Sequence, residues 1–243
     1  MISIQDLSFA FSKHRQVLQD ISCEIPAGSC LALAGANGSG KSTLLALLAG
    51  LYTPSRGWIC IQGVKSPGQQ GQLRKCSALL LQDADLQILG GTVGEDILLG
   101  CTGDQAQLEQ RARNLARGFG LLKFWERPVQ QLSGGEKQKL CLAGALMHSP
   151  QVLLFDEPFN NLDYLALKEL RQIISSQKQA GTTQIISSHD LEPVLDLADQ
   201  IAVLEQGRLA LKQAPQEALP RLEELGVRPP GFWAAHYPHL RPS

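Results

Sequence analysis

No stretch of this chain approaches the ~18 uninterrupted apolar residues of a membrane-spanning helix. The opening Met1-Ile2-Ser3-Ile4-Gln5-Asp6 has no basic region followed by an apolar core, so neither a span nor a secretory leader is expected. An excess of one charge is also missing. With 22 basic and 23 acidic residues, a formal net charge of -1 and no long block of either sign, electrostatics give no argument for a nucleic-acid partner, and none is expected. There is no C-x-x-C. The six cysteines (Cys23, Cys30, Cys60, Cys76, Cys101, Cys141) are scattered, several within apolar runs, and read as small core residues and reduced thiols of a cytoplasmic protein. Internal repeats, low-complexity segments and heptad runs are absent too. At 243 residues the chain makes one large domain or two small ones and can bury about 70–75% of its unfolded surface, so no metal or disulfide staple is needed.

What is present is the run Gly35-Ala36-Asn37-Gly38-Ser39-Gly40-Lys41-Ser42, which matches the phosphate-cradling pattern G-x-x-x-x-G-K-[ST]. Its context agrees. Cys30–Ala34 is apolar and short enough for a buried strand, and Thr43–Ala49 has the composition of a buried helix ending at Gly50. Amides at that helix start face an anion, the glycines allow backbone close to phosphates, Lys41 reaches the β- and γ-phosphates, and the Ser42 hydroxyl binds Mg²⁺. The competing reading is a glycine-rich turn without a ligand.

Short apolar runs at 76–81, 151–155, 183–187 and 200–204 alternate with helix-like segments, the pattern of a parallel α/β sheet with crossover helices. Strand-like pieces within 1–34 and 57–63, separated by turns, predict an antiparallel β subdomain beside it. From about 83 to 132 the chain is largely helical in composition, especially 104–119, and reads as an inserted helical subdomain. The main domain is expected over 1–226, followed by a Pro-rich tail, 227–243. His236 and His239 in that tail lack Cys or acidic companions and read as part of a surface tail or packing strap rather than as metal ligands.

The strand Val152–Phe155 runs into Asp156 and Glu157. Strand ends of parallel sheets carry ligand chemistry, and beside a phosphate loop Asp156 suits Mg²⁺ while Glu157 suits the general base that polarises water. A solvated acidic turn before Pro158 is the alternative. Leu132-Ser133-Gly134-Gly135-Glu136-Lys137-Gln138 opens a helix reaching Met147, with Ser133 and Glu136 at capping-box spacing, which offers a second set of helix N-terminal amides to an anion. A lone His189 follows the strand at 183–187.

In this order, the motifs resemble the nucleotide-binding subunit of ABC transporters from about residue 1 to about 225. Besides the phosphate loop (Gly35, Asn37, Gly38, Ser39, Gly40, Lys41, Ser42, Thr43), Leu132–Gln138 looks like the family's signature and Gln82 like its Q-loop glutamine. Asn160-Asn161-Leu162-Asp163 looks like its D-loop, and His189 like its switch histidine. The resemblance implies a P-loop NTPase core, ATP and Mg²⁺ as ligands, and two ATP molecules sandwiched between two subunits. Each ATP would be bound by the phosphate loop of one subunit and by Ser133, Gly134 and Gly135 of the other. By the same resemblance Phe11 stacks on adenine, although strand packing explains an aromatic there equally well. Gln82 contacts Mg²⁺ and the attacking water, His189 contacts the γ-phosphate, and Asp163 couples the two sites.

Gln82-Asp83-Ala84-Asp85-Leu86-Gln87, then Gly91-Thr92-Val93-Gly94-Glu95-Asp96, is similar to the Q-loop region of energy-coupling-factor transporters and of the cobalt and nickel importers, as is 159–163. Ala84 departs from the usual Pro. Gly144 departs from the usual Arg and, at ~1 kcal/mol against Ala in a helix, predicts a packing reason. The resemblance implies an ATP-hydrolysing importer subunit for cobalt, nickel or a vitamin, located peripherally at the cytoplasmic face of the cell membrane. Its expected partners are an integral membrane component, a separate solute-binding membrane component and a second ABC subunit, the same chain or a paralogue. Gln82 and 85–96 are expected to dock a helix of the membrane component. A non-transport ABC ATPase acting on nucleic acid or the ribosome is the competing class. A GTPase is set aside because no Asn-Lys-x-Asp occurs.

Overall fold

The computed structural model describes residues 1–12 and 15–231. His236 and His239 lie outside the described residues. The chain forms β1 (Ile2–Ser12), β2 (Arg15–Ile25), β3 (Cys30–Ala34), α1 (Lys41–Leu48), β4 (Arg56–Ile61), β5 (Val64–Ser66), α2 (Gln70–Cys76) and β6 (Ser77–Leu80). There follow α3 (Val93–Leu98), α4 (Gln105–Gly118), α5 (Gly134–Met147), β7 (Val152–Asp156), α6 (Tyr164–Gln179), β8 (Thr183–Ser187), β9 (Gln200–Glu205), β10 (Arg208–Gln213) and α7 (Pro215–Ala218). Cys76 closes α2 instead of opening the strand expected there.

Two sheets form. The larger has the order β10-β9-β3-β8-β7-β6, in which β9, β3, β8, β7 and β6 run parallel and β10 is an antiparallel edge. The smaller is antiparallel, β2-β1-β4-β5. The parallel strands are apolar on both faces because both are covered, as such sheets require. Along β3 and β7 the side chains alternate between two clusters, as period-2 geometry dictates. Leu31, Leu33, Val152 and Leu154 pack with α1 and the antiparallel sheet, while Ala32, Ala34, Leu153 and Phe155 pack toward the helical side. Helix α1 is thereby held between the two sheets, with Leu44, Leu45, Leu47 and Leu48 all buried.

The helical region is not a separate globule. Between 83 and 132 only α3 and α4 form, with short 3-10 turns, and α5 supplies the remaining wall. Val93, Ile97, Ala112 and Ala116 share one continuous cluster with Leu140, Ala143, Phe155 and Ile186 of the main body. Packed structure also runs past 226, since Val227 is 4% exposed and its amide donates to the Leu222 carbonyl. No helix among the described residues is long and apolar enough to cross a membrane.

Candidate active site

The turn from β3 into α1 forms one wall of a cleft of about 480 Å³, lined by Asn37, Gly38, Gly40, Lys41, Ser42 and Thr43. Phe11, Gln82 and Glu157 line the same cleft, so residues far apart in sequence converge on the N-terminus of α1. Phe11 is half exposed while Phe9 beside it is buried, so packing in the strand accounts for Phe9 and leaves Phe11 facing the cleft. Phe9 and Tyr52 support the Phe11 ring edge-on, at 5.0 and 5.5 Å between centroids.

Lys41 is buried beneath the loop. Its Nζ donates to the carbonyls of Gly35 (2.7 Å) and Ala36 (3.3 Å) and lies 3.6 Å from Glu157 Oε1. The other Glu157 oxygen meets Nδ1 of His189 at 2.9 Å and accepts the His189 amide at 3.2 Å. Glu157 thus joins the phosphate-loop lysine to the histidine after β8. Its backbone lies in the left-handed region, at φ 48°, which costs free energy in a non-glycine residue and persists only where the surroundings enforce it. Ser187 enforces it here: its Oγ accepts the Glu157 amide at 2.9 Å and donates to Asp156 Oδ1 at 2.7 Å. Ser187 sits opposite Asp156 in the parallel register of β7 and β8. Nothing in the local sequence marks this serine, because the pairing that brings it to the acids spans about thirty residues.

Ser42, Gln82 and Asp156 offer hydroxyl, amide and carboxylate oxygens, a hard donor set that suits Mg²⁺. Ser42 and Gln82 line the phosphate-loop cleft, and Gln82 and Asp156 line a second cleft of about 590 Å³ that adjoins it. Gln82 is the shared residue. Its carbonyl accepts Gln138 Nε2 from α5 at 3.0 Å, and the segment after it is fastened by Gln87, whose amide group bonds the Leu81 amide and the Leu79 carbonyl at 2.7 and 2.8 Å.

Ser133, Gly134 and Gly135 stand apart from the phosphate loop. Ser133 and Gly135 border a separate groove of about 770 Å³ that also includes Asp163, and Gly134 borders the second cleft. Ser133 acts as its spacing predicts, and Asp163 proves to be a cap as well. Ser133 forms a complete capping box with Glu136, and the Asp163 carboxylate caps α6 by accepting the Ala166 amide at 2.8 Å. A Cβ at Gly135 would lie 2.6 Å from Cβ of Ala166, so the two helix starts are in direct contact, whereas one at Gly134 would meet nothing within 4 Å.

The Thr-Val-Gly-Glu-Asp run has a local explanation. Thr92 and Glu95 form a capping box for α3, and Asp96 Oδ1 accepts the amides of Leu89 and Gly90 at 2.9 and 2.8 Å. Asp96 is therefore an internal brace of the loop and unavailable as a docking charge. Asp85 is exposed but paired with Lys137 at 2.6 Å. The packing reason expected for Gly144 is not found: a methyl there would sit 3.7 Å from the Asp96 carbonyl oxygen, an ordinary contact. Burial pushes the thiols of Cys30 and Cys141 up to about 12, which fits inert core residues.

The ABC transporter family profile matches residues 18–160, more than half of the chain. The chain belongs to the ABC transporter family. Among curated ABC proteins it is 34% identical, over 95% of its own length and 85% of the relative's, to the cobalt import ATP-binding protein CbiO of Rhodobacter capsulatus. It is 33% identical, over 94% and 87%, to the energy-coupling factor transporter ATP-binding protein EcfA of Carboxydothermus hydrogenoformans. Over 90% of its length it is 36% identical to the energy-coupling factor transporter ATP-binding protein EcfA2 of Methanospirillum hungatei, of which it spans only 56%. Among solved structures, cbiO1 of Clostridium perfringens, described as part of the ABC transporter complex cbiONQ, superposes with a TM-score of 0.82 at 27% identity, covering 98% of this chain and 96% of that one. The α/β cassette expected from the motifs is thus the fold of this ABC ATPase.

Proposed function

We propose that this ABC ATPase drives an energy-coupling-factor type importer from the cytoplasmic face of the cell membrane. It would act as one of a pair of ABC subunits, with an integral membrane component and a separate solute-binding membrane component, on cobalt, nickel or a vitamin. The observation that carries the reading is the junction of Lys41, Glu157 and His189 at the phosphate loop, while Ser133 and Gly135 of the signature open on a different groove of the same chain. A phosphoryl-transfer site needs positioning and charge stabilisation around a loose transition state. In this reading Lys41 and the α1 amides hold the phosphates, and Phe11 takes the adenine. Glu157 accepts the proton of the attacking water, His189 orients Glu157 and meets the γ-phosphate, and Gln82 positions the water. Ser42, Gln82 and Asp156 would hold Mg²⁺, which supplies neutralisation of the phosphate charge. The γ-phosphate of one subunit's ATP would be completed by Ser133, Gly134 and Gly135 of the other, with Asp163 lying between the two sites.

The names of the relatives support the importer class over a non-transport ATPase, since they are ATP-binding proteins of cobalt import and energy-coupling-factor transport. The surface for the membrane component is read at Gln82 and 85–96, where Leu86 and Leu89 are 72% and 77% exposed beside the braced loop. Co-expression with a candidate integral membrane component tests the proposal. The expected result is a membrane-bound complex whose ATP hydrolysis exceeds that of the isolated chain. A chain that hydrolyses ATP but is recovered on ribosomes or nucleic acid, and never with the membrane component, overturns it.

A further inference from the structure

The turn between β9 and β10 lies outside every motif, yet it touches the phosphate loop directly. The Gly207 amide donates to the Ser39 carbonyl at 3.1 Å, and the Gly207 carbonyl accepts the Gln19 amide of β2 at 2.8 Å. A Cβ at Gly207 would lie 2.2 Å from the Val17 carbonyl oxygen, and φ there is +79°, so both space and backbone demand glycine. One residue earlier, Gln206 is itself held at φ 47°. The loop is gripped from the same side at Gly35, where a Cβ would be 2.4 Å from the Leu204 carbonyl oxygen. From β2, Leu18 Cδ2 comes within 2.6 Å of a Cβ placed on Gly40.

From these contacts we infer that the β9–β10 turn is a positioning element for nucleotide binding, with Gly207 setting the orientation of the Ser39–Gly40 peptide. A trans peptide is planar, and its C=O and N–H point in opposite directions. With the Ser39 oxygen fixed on Gly207, at the edge of the cleft, the Gly40 N–H of the same peptide is held in the opposite direction, and Gly40 itself lines the cleft with Lys41. The same glycine ties β2, and through β2 the sheet that carries Phe11, to the loop. A single turn near the end of the described chain thereby fixes one phosphate-facing amide and its distance from the aromatic ring. This inference rests on the reading of the cleft as a nucleotide site.

Steady-state ATP hydrolysis and ATP binding by the full chain test it, with Gly207→Ala, Arg208→Ala and Lys41→Ala measured side by side. Arg208 reaches Gln19 and Asp20 from the same turn without touching the phosphate loop and is the control. For Gly207→Ala the expected outcome is a KM for ATP raised at least about tenfold, the scale of losing one hydrogen bond to a charged group, with kcat changed less than twofold. Arg208→Ala should keep the wild-type KM. An unchanged KM in a folded Gly207→Ala overturns the inference, as does a fall confined to kcat. If Lys41→Ala also binds ATP normally, the nucleotide-site reading itself is wrong, which separates the two failures. Should Gly207→Ala not fold, amide hydrogen exchange in the unmodified protein decides. Slow exchange at Gly207 supports the contact to Ser39, and exchange as fast as in an open turn rejects it.

Discussion

His189 and Glu157 share a 2.9 Å contact between Nδ1 and Oε2, at the ends of the adjacent strands β8 and β7. Because Glu157 is also 3.6 Å from Lys41, one carboxylate links the phosphate loop to the histidine. Replacing Glu157 by Gln keeps the size of the side chain and removes the base. ATP hydrolysis should fall by at least ~10²-fold while ATP binding persists, and ATP-dependent dimers should become easier to detect by sizing. Hydrolysis near the wild-type rate would remove Glu157 from the base role.

The proposed docking surface is tested at its exposed leucines, since Asp96 is committed to the Leu89 and Gly90 amides. The double variant Leu86→Asp, Leu89→Asp should lose co-purification with the membrane component and keep the ATP affinity of the isolated chain. A complex of undiminished yield would place docking elsewhere. Asp85→Lys opposes Lys137 and should weaken the complex less, because Asp85 itself stands mostly in solvent and its ion pair is worth little.

The shared-site arrangement predicts complementation in a homodimer. Lys41→Ala disables the phosphate loop and Ser133→Arg the signature, so each alone should be inactive. Mixed together, the intact loop of the Ser133→Arg subunit faces the intact signature of the Lys41→Ala subunit, and one complete site returns. ATP hydrolysis on mixing, preferably with the membrane component present, is the measurement. Substantial activity in both single variants would contradict a site shared between subunits.

Thiol chemistry gives a pH prediction. Burial holds the Cys30 and Cys141 thiols at about 12 in the folded protein, far above the ~8.5 of a free thiol, so at pH 8 their thiolate fraction is reduced roughly a thousandfold. N-ethylmaleimide at pH 8 should spare both in the native protein and modify them after denaturation. The sign for stability follows. Above the unfolded value of ~8.5 the unfolded chain releases protons that the folded one retains, so stability is full below that pH and declines as pH rises toward 12. Denaturation midpoints measured at pH 8 and pH 10 check the direction, and prompt native labelling of Cys30 would refute the burial argument.

Elements whose information is local were legible in the sequence. The phosphate loop, the apolar strands β7 and β8, and the capping box at Ser133 depend on residues within a few positions of one another, whereas the equally local box at Thr92 went unread. What was hidden depends on pairing across the fold. Ser187 reaches Asp156 only through strand register, Gln138 finds the Gln82 carbonyl across a helix–loop contact, and Val93 and Gly94 bond back to the carbonyls of Arg127 and Trp125. A boundary such as Cys76 was misread because a cysteine in an apolar run suits the end of a helix as well as the start of a strand. Gly144 was given a packing reason from its place inside a helix, where only the space around it decides.

The contact between Gly135 and Ala166 leaves no room for even one methyl group between the first turns of α5 and α6. The segments read as signature and D-loop are therefore borne on abutting helix ends, and in the proposed dimer neither would be offered to a second subunit without the other. In the proposed dimer a neighbouring copy that meets Ser133 would meet Asp163 in the same approach. Mating of two such surfaces would there be a matter of matching a preset gauge, and a partner with the wrong spacing would be rejected by geometry before any nucleotide chemistry begins.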